Sequence, residues 1–380
     1  MKVYADNGTT SFPKAPGVSA AIAGFLDGFP ANVNRGGYAT AYDVGMEVLK
    51  TRQLLCKLFG FDLPKNVVFT PGITYSLNMI LRGFLRGGDH VITTSMEHNG
   101  LMRPLHDLSK IGVDYDIAAA DIEGVLDPQA VERLIKPSTK MVVMTHASNV
   151  CGTLLPIGEI GKICNAHGIK FVLDSAQTAG YIPINMQYID ALCFAAHKGL
   201  LASPGLGGFL IKNDFTKLIN PIITGGTGSA SHDLQQPQNM PDKFEAGTMN
   251  IPAIIGLRTA LEYILDTGIL AIHGNTMELC AEFLQQIGDV DGVRIVGKKN
   301  TTERIGVVSL DFIGRDNSEI SSILDEKFGI ITRCGLHCSP MAHKTLGTYP
   351  QGTVRFSFSH FNTMGDIDYI TRSIKWILNN

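Results

Sequence analysis

The sequence has few of the features that mark membrane proteins, nucleic-acid-binding proteins or disulfide-rich proteins. Its 380 residues carry 32 Lys and Arg against 35 Asp and Glu, so there is no basic excess for nucleic acid to bind. No apolar run reaches the length of a membrane-spanning helix, and the first residues, MKVYADNGTTSFPKAP, lack the apolar core of a signal peptide. We therefore expect a cytoplasmic protein that binds neither membranes nor nucleic acid.

Cysteine is sparse, and its spacing excludes the usual cysteine-based sites. The seven cysteines are scattered, and none of them forms a CxxC pair. An odd number in a long chain favours a reducing compartment over a disulfide framework. Cys334 and Cys338 lie four residues apart, which is too sparse a ligand set for a structural zinc site. The sequence therefore predicts no metal site.

What the sequence does have is a series of short apolar runs that alternate with helical patterns. This alternation predicts an α/β protein with a doubly wound, mainly parallel sheet. From about residue 260 the spacing of strands and helices favours a smaller α+β domain. We expect an N-terminal arm over residues 1–14, a large domain over 15–259 and a small domain over 260–380. The strands predicted for the large domain are Asn66–Thr70, His90–Thr93, Val113–Ile117, Met141–Met144, Ile169–Leu173 and Ala191–Ala196.

Polar residues follow four of these strands. They are His98, Asn149, Asp174 and the pair His197-Lys198. The carboxyl ends of parallel strands share one edge of the sheet, where such folds bind ligands. An acid and a lysine at that edge suit pyridoxal phosphate (PLP), which needs an amine for a Schiff base and an acid beside its ring nitrogen. The plain alternative is a salt bridge between Asp174 and Lys198.

Nine short motifs occur along the chain in an order that resembles the class V aminotransferase group of PLP enzymes, which have PLP fold type I. Within that group, they resemble the cysteine desulfurases and selenocysteine lyases. The motifs are NVNRGG (32–37), TPGIT (70–74), MEHNG (96–100), SNVCGT (148–153), LDSAQ (173–177), AAHKG (195–199), FEAGT (244–248), RCGLHC (333–338) and VRFSF (354–358).

The resemblance implies how the cofactor is held. Lys198 is similar to the lysine that forms the Schiff base, Asp174 to the acid that keeps the pyridine nitrogen protonated, and His98 to the imidazole that stacks on the ring. Thr248 matches a residue that reaches the phosphate in a neighbouring subunit, which implies a homodimer. Ala195 stands where the family usually has a serine that contacts the phosphate. The other implied cofactor contacts are Gly72, Ile73, Thr74, Asn149, Gln177 and His197.

The resemblance also implies a receptor for the substrate carboxylate. Asn149 and Arg355 match the pair that holds it, and a guanidinium suits bidentate binding of a carboxylate. Arg333 belongs to the same implied substrate site. Asn34 and Arg35 lie where the family has its active-site arginine loop.

Cys338 distinguishes the possible activities, because its RCGLHC motif resembles the short active-site loop of the desulfurases. Sulfur transfer needs a thiolate, which Arg333 and His337 are placed to favour. The resemblance implies removal of sulfur from L-cysteine to give L-alanine and a persulfide on Cys338, for transfer to an acceptor protein or small thiol. Cys334 is either a bystander or a second thiol for sulfur or for a disulfide.

Several readings stay open from the sequence. A selenocysteine lyase, a cyst(e)ine β-lyase or a transaminase-like relative would use the same cofactor motifs. A sulfur-delivery partner that is active only in a complex, or a chain that binds no PLP, is a further alternative. Cys338 itself has the plain alternative of a thiol without a catalytic role.

Overall fold

The computed structural model describes residues 2–28, 31, 33 and 38–380 as two sheets with helices packed around them, together with a two-stranded pairing. The strands are β1 Val3–Tyr4, β2 Val67–Thr70, β3 His90–Thr94, β4 Asp114–Ala118, β5 Thr139–Thr145, β6 Lys170–Asp174, β7 Ala191–Ala195, β8 Gly207–Ile211, β9 Val293–Val296, β10 Val307–Phe312, β11 Ile330–Ile331, β12 Arg333–Gly335 and β13 Thr353–Ser357. The helices are α1 Val18–Asp27, α2 Ala39–Phe59, α3 Ile73–Phe84, α4 Asn99–Ser109, α5 Pro128–Glu132, α6 Ile157–Ala166, α7 Asn213–Thr216, α8 Ile251–Thr267, α9 Ile269–Gly288, α10 Asn317–Phe328, α11 Pro340–Thr345 and α12 Met364–Asn379.

The larger sheet has seven strands in the order β2-β8-β7-β6-β5-β3-β4. All its strands run in one direction except β8, which is antiparallel to both of its neighbours. The prediction of a mainly parallel sheet is therefore confirmed. Since six strands end at the same edge, the residues that follow β2, β3, β5, β6 and β7 gather there.

Both faces of this sheet are covered, which explains the unbroken apolar runs in the sequence. Neighbouring residues of a strand point to opposite faces. Accordingly, Phe171 and Leu173 belong to one buried cluster, together with residues of α1, α2, α6 and α8. Val172 belongs to another cluster, with residues of α3 and α4. Two helical layers thus enclose the sheet, as expected for a parallel sheet in an α/β protein.

The smaller sheet is antiparallel, in the order β12-β13-β10-β9. Residues of α9, α10 and α12 form a separate core against it. The N-terminal segment, for which the sequence predicts irregular structure, forms the two-residue strand β1, paired with β11. The boundary at residue 259 stays a prediction, and α8 runs through it as one helix.

None of the helices in the described part of the chain combines the length and the apolar character needed to cross a membrane.

Candidate active site

Seven of the residues singled out in the sequence line one cavity at the carboxyl edge of the larger sheet. The space between its walls, including the part that is open to solvent, is about 390 Å³. Its walls come from the start of α3 and from the segments that follow β3, β5, β6 and β7. The seven residues are Ile73, Thr74, His98, Asn149, Asp174, Gln177 and Lys198. Gly72 is the N-cap of α3, and its carbonyl accepts from the N–H of Tyr75 at 3.0 Å, so the N–H groups of Ile73 and Thr74 precede the first intrahelical hydrogen bond.

Lys198 lies in the turn after β7, where close packing fixes the backbone. A side chain at Gly180 would collide with the carbonyl of Gly199, the residue next to Lys198. Burial lowers the pKa of the Lys198 amine to about 8, and the charge of Asp174 opposes this shift. A substantial fraction of this amine is therefore neutral near physiological pH, which a nucleophilic amine requires.

Asp174 is the last residue of β6, and it is 4% exposed. Its Oδ1 accepts a hydrogen bond of 2.9 Å from the backbone N–H of Ala176. Burial raises the pKa of this carboxyl, while the Ala176 N–H and the charge of Lys198 oppose the rise. Among the ion pairs of the described residues, none joins Asp174 to Lys198, although both line the cavity. The plain salt-bridge alternative therefore does not account for this pair.

His98 is the N-cap of α4. Its Nδ1 accepts a hydrogen bond of 2.9 Å from the N–H of Gly100, which places the proton of the neutral ring on Nε2. Burial, followed by the charges of Lys198 and Arg333, lowers the pKa of His98 to about 4. The ring is therefore uncharged at neutral pH and presents an N–H donor.

Gln177, which lines the cavity, and His197 both contact the N-terminal segment. Gln177 Nε2 donates to the carbonyl of Gly8 at 3.1 Å. The carbonyl of His197 accepts from the N–H of Ser11 at 2.9 Å. The Nδ1 atom of His197 is buried without a hydrogen-bond partner in the described structure. A buried polar atom of this kind is costly unless it meets a further group.

Arg355 is fully buried in β13, and residues near the N-terminus hold its guanidinium. Nη2 contacts Asp6 Oδ1 at 2.7 Å and Thr9 Oγ1 at 2.8 Å. Nη1 donates to the backbone carbonyl of Asn149 at 3.0 Å. The guanidinium is thus fixed between the arm and the segment after β5, beside the cavity.

Asn149 holds the loop of Cys338 from both sides. Its Nδ2 donates to the carbonyl of His337 at 2.8 Å, and its Oδ1 accepts from Ser339 Oγ at 2.7 Å. The carbonyl of Cys338 accepts from the N–H of Asn99 at 2.8 Å. Residues 337–339 are therefore anchored to two segments of the larger sheet's edge.

Cys338 is exposed, and its thiol lies beside a positive charge. Arg333 Nη2 is 3.3 Å from its Sγ. The thiol lines an open groove that shares Thr74, His98 and Gly100 with the cavity. Both His337 and Cys338 have positive φ, 50° and 59°, a conformation that side chains other than glycine rarely adopt.

His337 does not offer the thiol the positive charge that the sequence suggested. Burial is the main cause that lowers the pKa of His337 to about 2, and its Nε2 is 3.0 Å from Thr353 Oγ1. It therefore supplies no positive charge to Cys338. Cys334 follows Arg333 in β12, so the two side chains lie on opposite faces of the smaller sheet. The side chain of Cys334 packs against the core of that sheet. This placement supports the bystander interpretation.

Of the predicted residues that the structure describes, six are not among those that line this cavity, namely Gly72, His197, Thr248, Arg333, Arg355 and Cys338. Thr248 is exposed and lines a different cavity, together with Thr70 and Tyr75. Asn34 and Arg35 lie outside the described residues. Within the ranges that the structure describes, no three His, Cys, Asp or Glu side chains converge in a way that would hold a metal ion.

Sequence reasoning missed several contact residues because their local patterns are unremarkable. Asp6, Thr9 and Ser339 lie in turn-rich stretches, and nothing in those stretches indicates partners elsewhere in the chain. Arg52 and Glu245 form a buried ion pair whose members are 193 residues apart. The position of Glu245 within the FEAGT motif was the feature of the sequence that could have indicated its importance.

Comparisons with known proteins agree with this geometry. A family model of the class V aminotransferases matches residues 3–370. A probable cysteine desulfurase of Methanothermobacter thermautotrophicus is 31% identical over 383 residues, covering 99% of this chain and 94% of that protein. Among solved structures, apo cysteine desulfurase from Thermococcus onnurineus NA1 has a TM-score of 0.93 at 30% identity, covering 100% and 95% of the two chains. The Escherichia coli cysteine desulfurase CsdA, as its S-sulfonic acid, has a TM-score of 0.89 at 26% identity, covering 100% and 95%. The chain belongs to the class V aminotransferase family.

Proposed function

We propose that this protein is a PLP-dependent cysteine desulfurase. It removes sulfur from L-cysteine, releases L-alanine and carries the sulfur as a persulfide on Cys338. The observation that carries this proposal is the position of the Cys338 thiol. It is exposed beside Arg333, in a groove that shares His98 with the cavity lined by Asp174 and Lys198.

The residues of the cavity fit PLP. The buried carboxylate of Asp174 has a single backbone donor and is poorly compensated, so it would hold a protonated ring nitrogen of the cofactor. The unpartnered Nδ1 of His197 and the free N–H groups at the start of α3 provide donors for a phosphate. Lys198 provides the amine that anchors the cofactor. When bound, PLP supplies an electron sink for the substrate carbanion.

The protein's own groups have separate tasks in this proposal. Arg355, with Asn149, holds the substrate carboxylate. Lys198, with its pKa lowered to about 8, takes and returns protons at the substrate carbon. Neutral His98, which lines both the cavity and the groove, offers its Nε2–H as a donor. In support of these roles, Asn149, Lys198 and His98 line one cavity, and Arg355 donates to the carbonyl of Asn149.

Cys338 performs the sulfur transfer. Its thiolate attacks the substrate sulfur, so that an S–S bond forms while the carbon–sulfur bond breaks. The substrate carbon takes a proton, which gives L-alanine, and Cys338 becomes a persulfide. Arg333 at 3.3 Å stabilises the attacking thiolate. An acceptor protein or small thiol then removes the sulfur.

The proposal includes a cytoplasmic homodimer. Thr248 is exposed at a cavity of its own chain, away from Lys198. In a dimer it would reach the phosphate of the neighbouring subunit. The stretch between α7 and α8, which contains exposed Ile222, Ile223 and Leu234, would then be covered.

Product analysis tests the function. The wild-type protein should convert L-cysteine to alanine, and Cys338→Ala should abolish that conversion without changing cofactor absorbance. Lys198→Ala should lose the absorbance band of the bound cofactor. Pyruvate and ammonia as the main products would indicate a β-lyase, and undiminished alanine formation by Cys338→Ala would refute the persulfide route.

A further inference from the structure

The N-terminal segment contributes one hydroxyl that is hydrogen-bonded to three charged groups beside the candidate active site. Thr9 Oγ1 donates to Asp6 Oδ1 at 2.9 Å. It accepts from Arg355 Nη2 at 2.8 Å and from Arg333 Nη1 at 3.2 Å. A hydroxyl has one proton and two lone pairs, so this group uses its full hydrogen-bonding capacity here.

The chemistry of the partners fixes the direction of each bond. An ionised carboxylate can only accept, and a guanidinium can only donate. Thr9 is therefore the bridge between Asp6 and both arginines. No other single side chain in the described ranges of the chain is hydrogen-bonded to all three.

Arg333 depends on this bridge more than Arg355 does. Arg355 also contacts Asp6 directly and the carbonyl of Asn149. For the Arg333 guanidinium, the described structure gives two hydrogen-bond partners, Thr9 Oγ1 and the Sγ of Cys338. Since a long side chain loses much rotamer freedom when it is fixed, an anchor on its other Nη atom keeps Arg333 at the thiol.

The local charges also favour an anionic ligand. Two guanidinium groups share one carboxylate, that of Asp6, so the cluster carries one net positive charge. The thiolate of Cys338 or the carboxylate of an amino-acid substrate balances that charge. A neutral hydroxyl between the two arginines holds them together without cancelling it.

We propose that Thr9 is a positioning residue that holds Arg333 against the Cys338 thiol and keeps the positive charge of the two arginines available to an anionic substrate. The identity of that substrate rests on the proposed function, whereas the effect of Thr9 on the thiol does not.

The test compares two alkylating reagents on the full-length protein with its cofactor as purified. Iodoacetate carries a carboxylate and iodoacetamide is neutral, so the ratio of their rates at Cys338 reports the positive charge near the thiol. Fragment ions of the peptide that contains both Cys334 and Cys338 assign the label to Cys338, which is the exposed one among the seven cysteines. The Michaelis constant for L-cysteine is measured in parallel.

Thr9→Val keeps the shape of the side chain and removes its hydroxyl, whereas Thr9→Ser keeps the hydroxyl. Thr332→Val is the matched control, because the Thr332 hydroxyl is next to Arg333 in sequence but contacts Ser321 at 3.1 Å. We expect Thr9→Val to lower the iodoacetate-to-iodoacetamide ratio by about threefold to tenfold and to raise the Michaelis constant, which is the size of effect expected for the loss of one ordinary hydrogen bond. Thr9→Ser and Thr332→Val should keep wild-type values.

An unchanged ratio in folded Thr9→Val, with a lowered ratio in Arg333→Met, would overturn the proposal, because Arg333 would then be held without Thr9. If Thr9→Val does not fold, Thr9→Ala removes the same hydroxyl with less bulk, and the same two outcomes decide. Absence of alanine formation by the wild-type protein would refute the proposed function, and the alkylation ratio would still test Thr9.

Discussion

Glu245→Gln tests an ion pair that anchors the FEAGT motif to the larger sheet. The carboxylate of Glu245 is bidentate to Arg52, with N–O distances of 3.0 and 2.7 Å, and both side chains are at most 5% exposed. Glu245 Oε1 also accepts from the N–H of Phe69 at 2.7 Å, and Arg52 donates to the carbonyl of Val67. One pair thus connects α2, β2 and the segment that ends at Thr248.

The expected loss of stability follows from this geometry. Two unit charges at 2.7 Å attract by about 6 kcal/mol at an effective dielectric constant of roughly 20. Dehydration of both ions offsets much of this attraction, but removing one partner leaves the other charge buried, which costs about 3–5 kcal/mol. Glutamine still offers an oxygen to Arg52, so we expect about 3 kcal/mol. For 380 residues, an unfolding entropy of about 0.8 kcal/mol/K converts this into a melting temperature lower by about 4 °C.

Thermal unfolding followed by circular dichroism, at fixed protein concentration, measures this change. Glu262→Gln is the control, because the Glu262 carboxylate is 35% exposed and pairs with Lys50 and Arg258, each at 3.0 Å, at the surface. Exposed pairs contribute about 1 kcal/mol or less, so its melting temperature should move by about 1 °C at most. Arg52→Met combined with Glu245→Gln should recover part of the loss, since no unpaired charge remains. A melting temperature of Glu245→Gln within about 1 °C of wild type would refute the reasoning.

Three further predictions concern the site itself. Burial lowers the pKa of Lys198 from 10.5 to about 8, so between these two pH values the unfolded chain binds a proton that the folded chain does not, and the free energy of unfolding rises with pH. Lys198→Met should remove this rise in urea titrations of the cofactor-free protein. An unchanged dependence of the unfolding free energy on pH would contradict this prediction. Gly180→Ala should lower the free energy of unfolding by at least about 3 kcal/mol and reduce cofactor absorbance, because its Cβ would collide with Gly199. Gly158→Ala is the control and should not destabilise the protein, because a Cβ at Gly158 meets nothing within 4 Å. Equal melting temperatures of the two variants would contradict this prediction. Cys338→Gly should have a free energy of unfolding in urea about 1 kcal/mol higher than that of Cys338→Ala, because φ of residue 338 is 59°, a conformation that glycine adopts more easily than alanine. A more stable Cys338→Ala would argue against that backbone conformation.

The sequence predicts the helices and most of the strands because their signals are local. Buried strands such as Phe171–Asp174 are apolar on both faces, and the amphipathic period is visible in α2 and α12. The predicted strands His90–Thr93 and Ala191–Ala196 agree with β3 and β7 to within one residue. These elements depend on burial patterns that a short window of sequence contains.

Elements that depend on distant partners were not predictable in this way. The residues before and within β8, SPGLGG, have the composition of a turn, but Gly207 and Gly208 lie where side chains would collide with Gly72, Val68 and Phe194. Only close backbone approach across the sheet explains this strand. In the same way, β1 exists through its pairing with β11, more than 300 residues away.

The same distinction between local and distant determinants applies to the candidate site. His98, Asp174 and Lys198 could be placed at one edge from the ends of predicted strands, because parallel strands bring those ends together. Asp6 and Thr9 could not be placed, since a turn-rich terminus carries no signal of where it packs. Their contacts with Arg355 appear only once β13 and the N-terminal segment are adjacent.

The position of the Cys338 thiol depends on both kinds of information. Its loop has two successive residues with positive φ, a conformation that costs free energy and needs support from its surroundings. Asn149 supplies that support at His337 and Ser339, and Asn99 supplies it at the carbonyl of Cys338. Both supporting residues follow strands of the larger sheet, and Asn99 is next to His98. The same sheet edge that forms the cavity therefore also fixes the thiol beside it, which places a nucleophile and its cavity in one rigid frame.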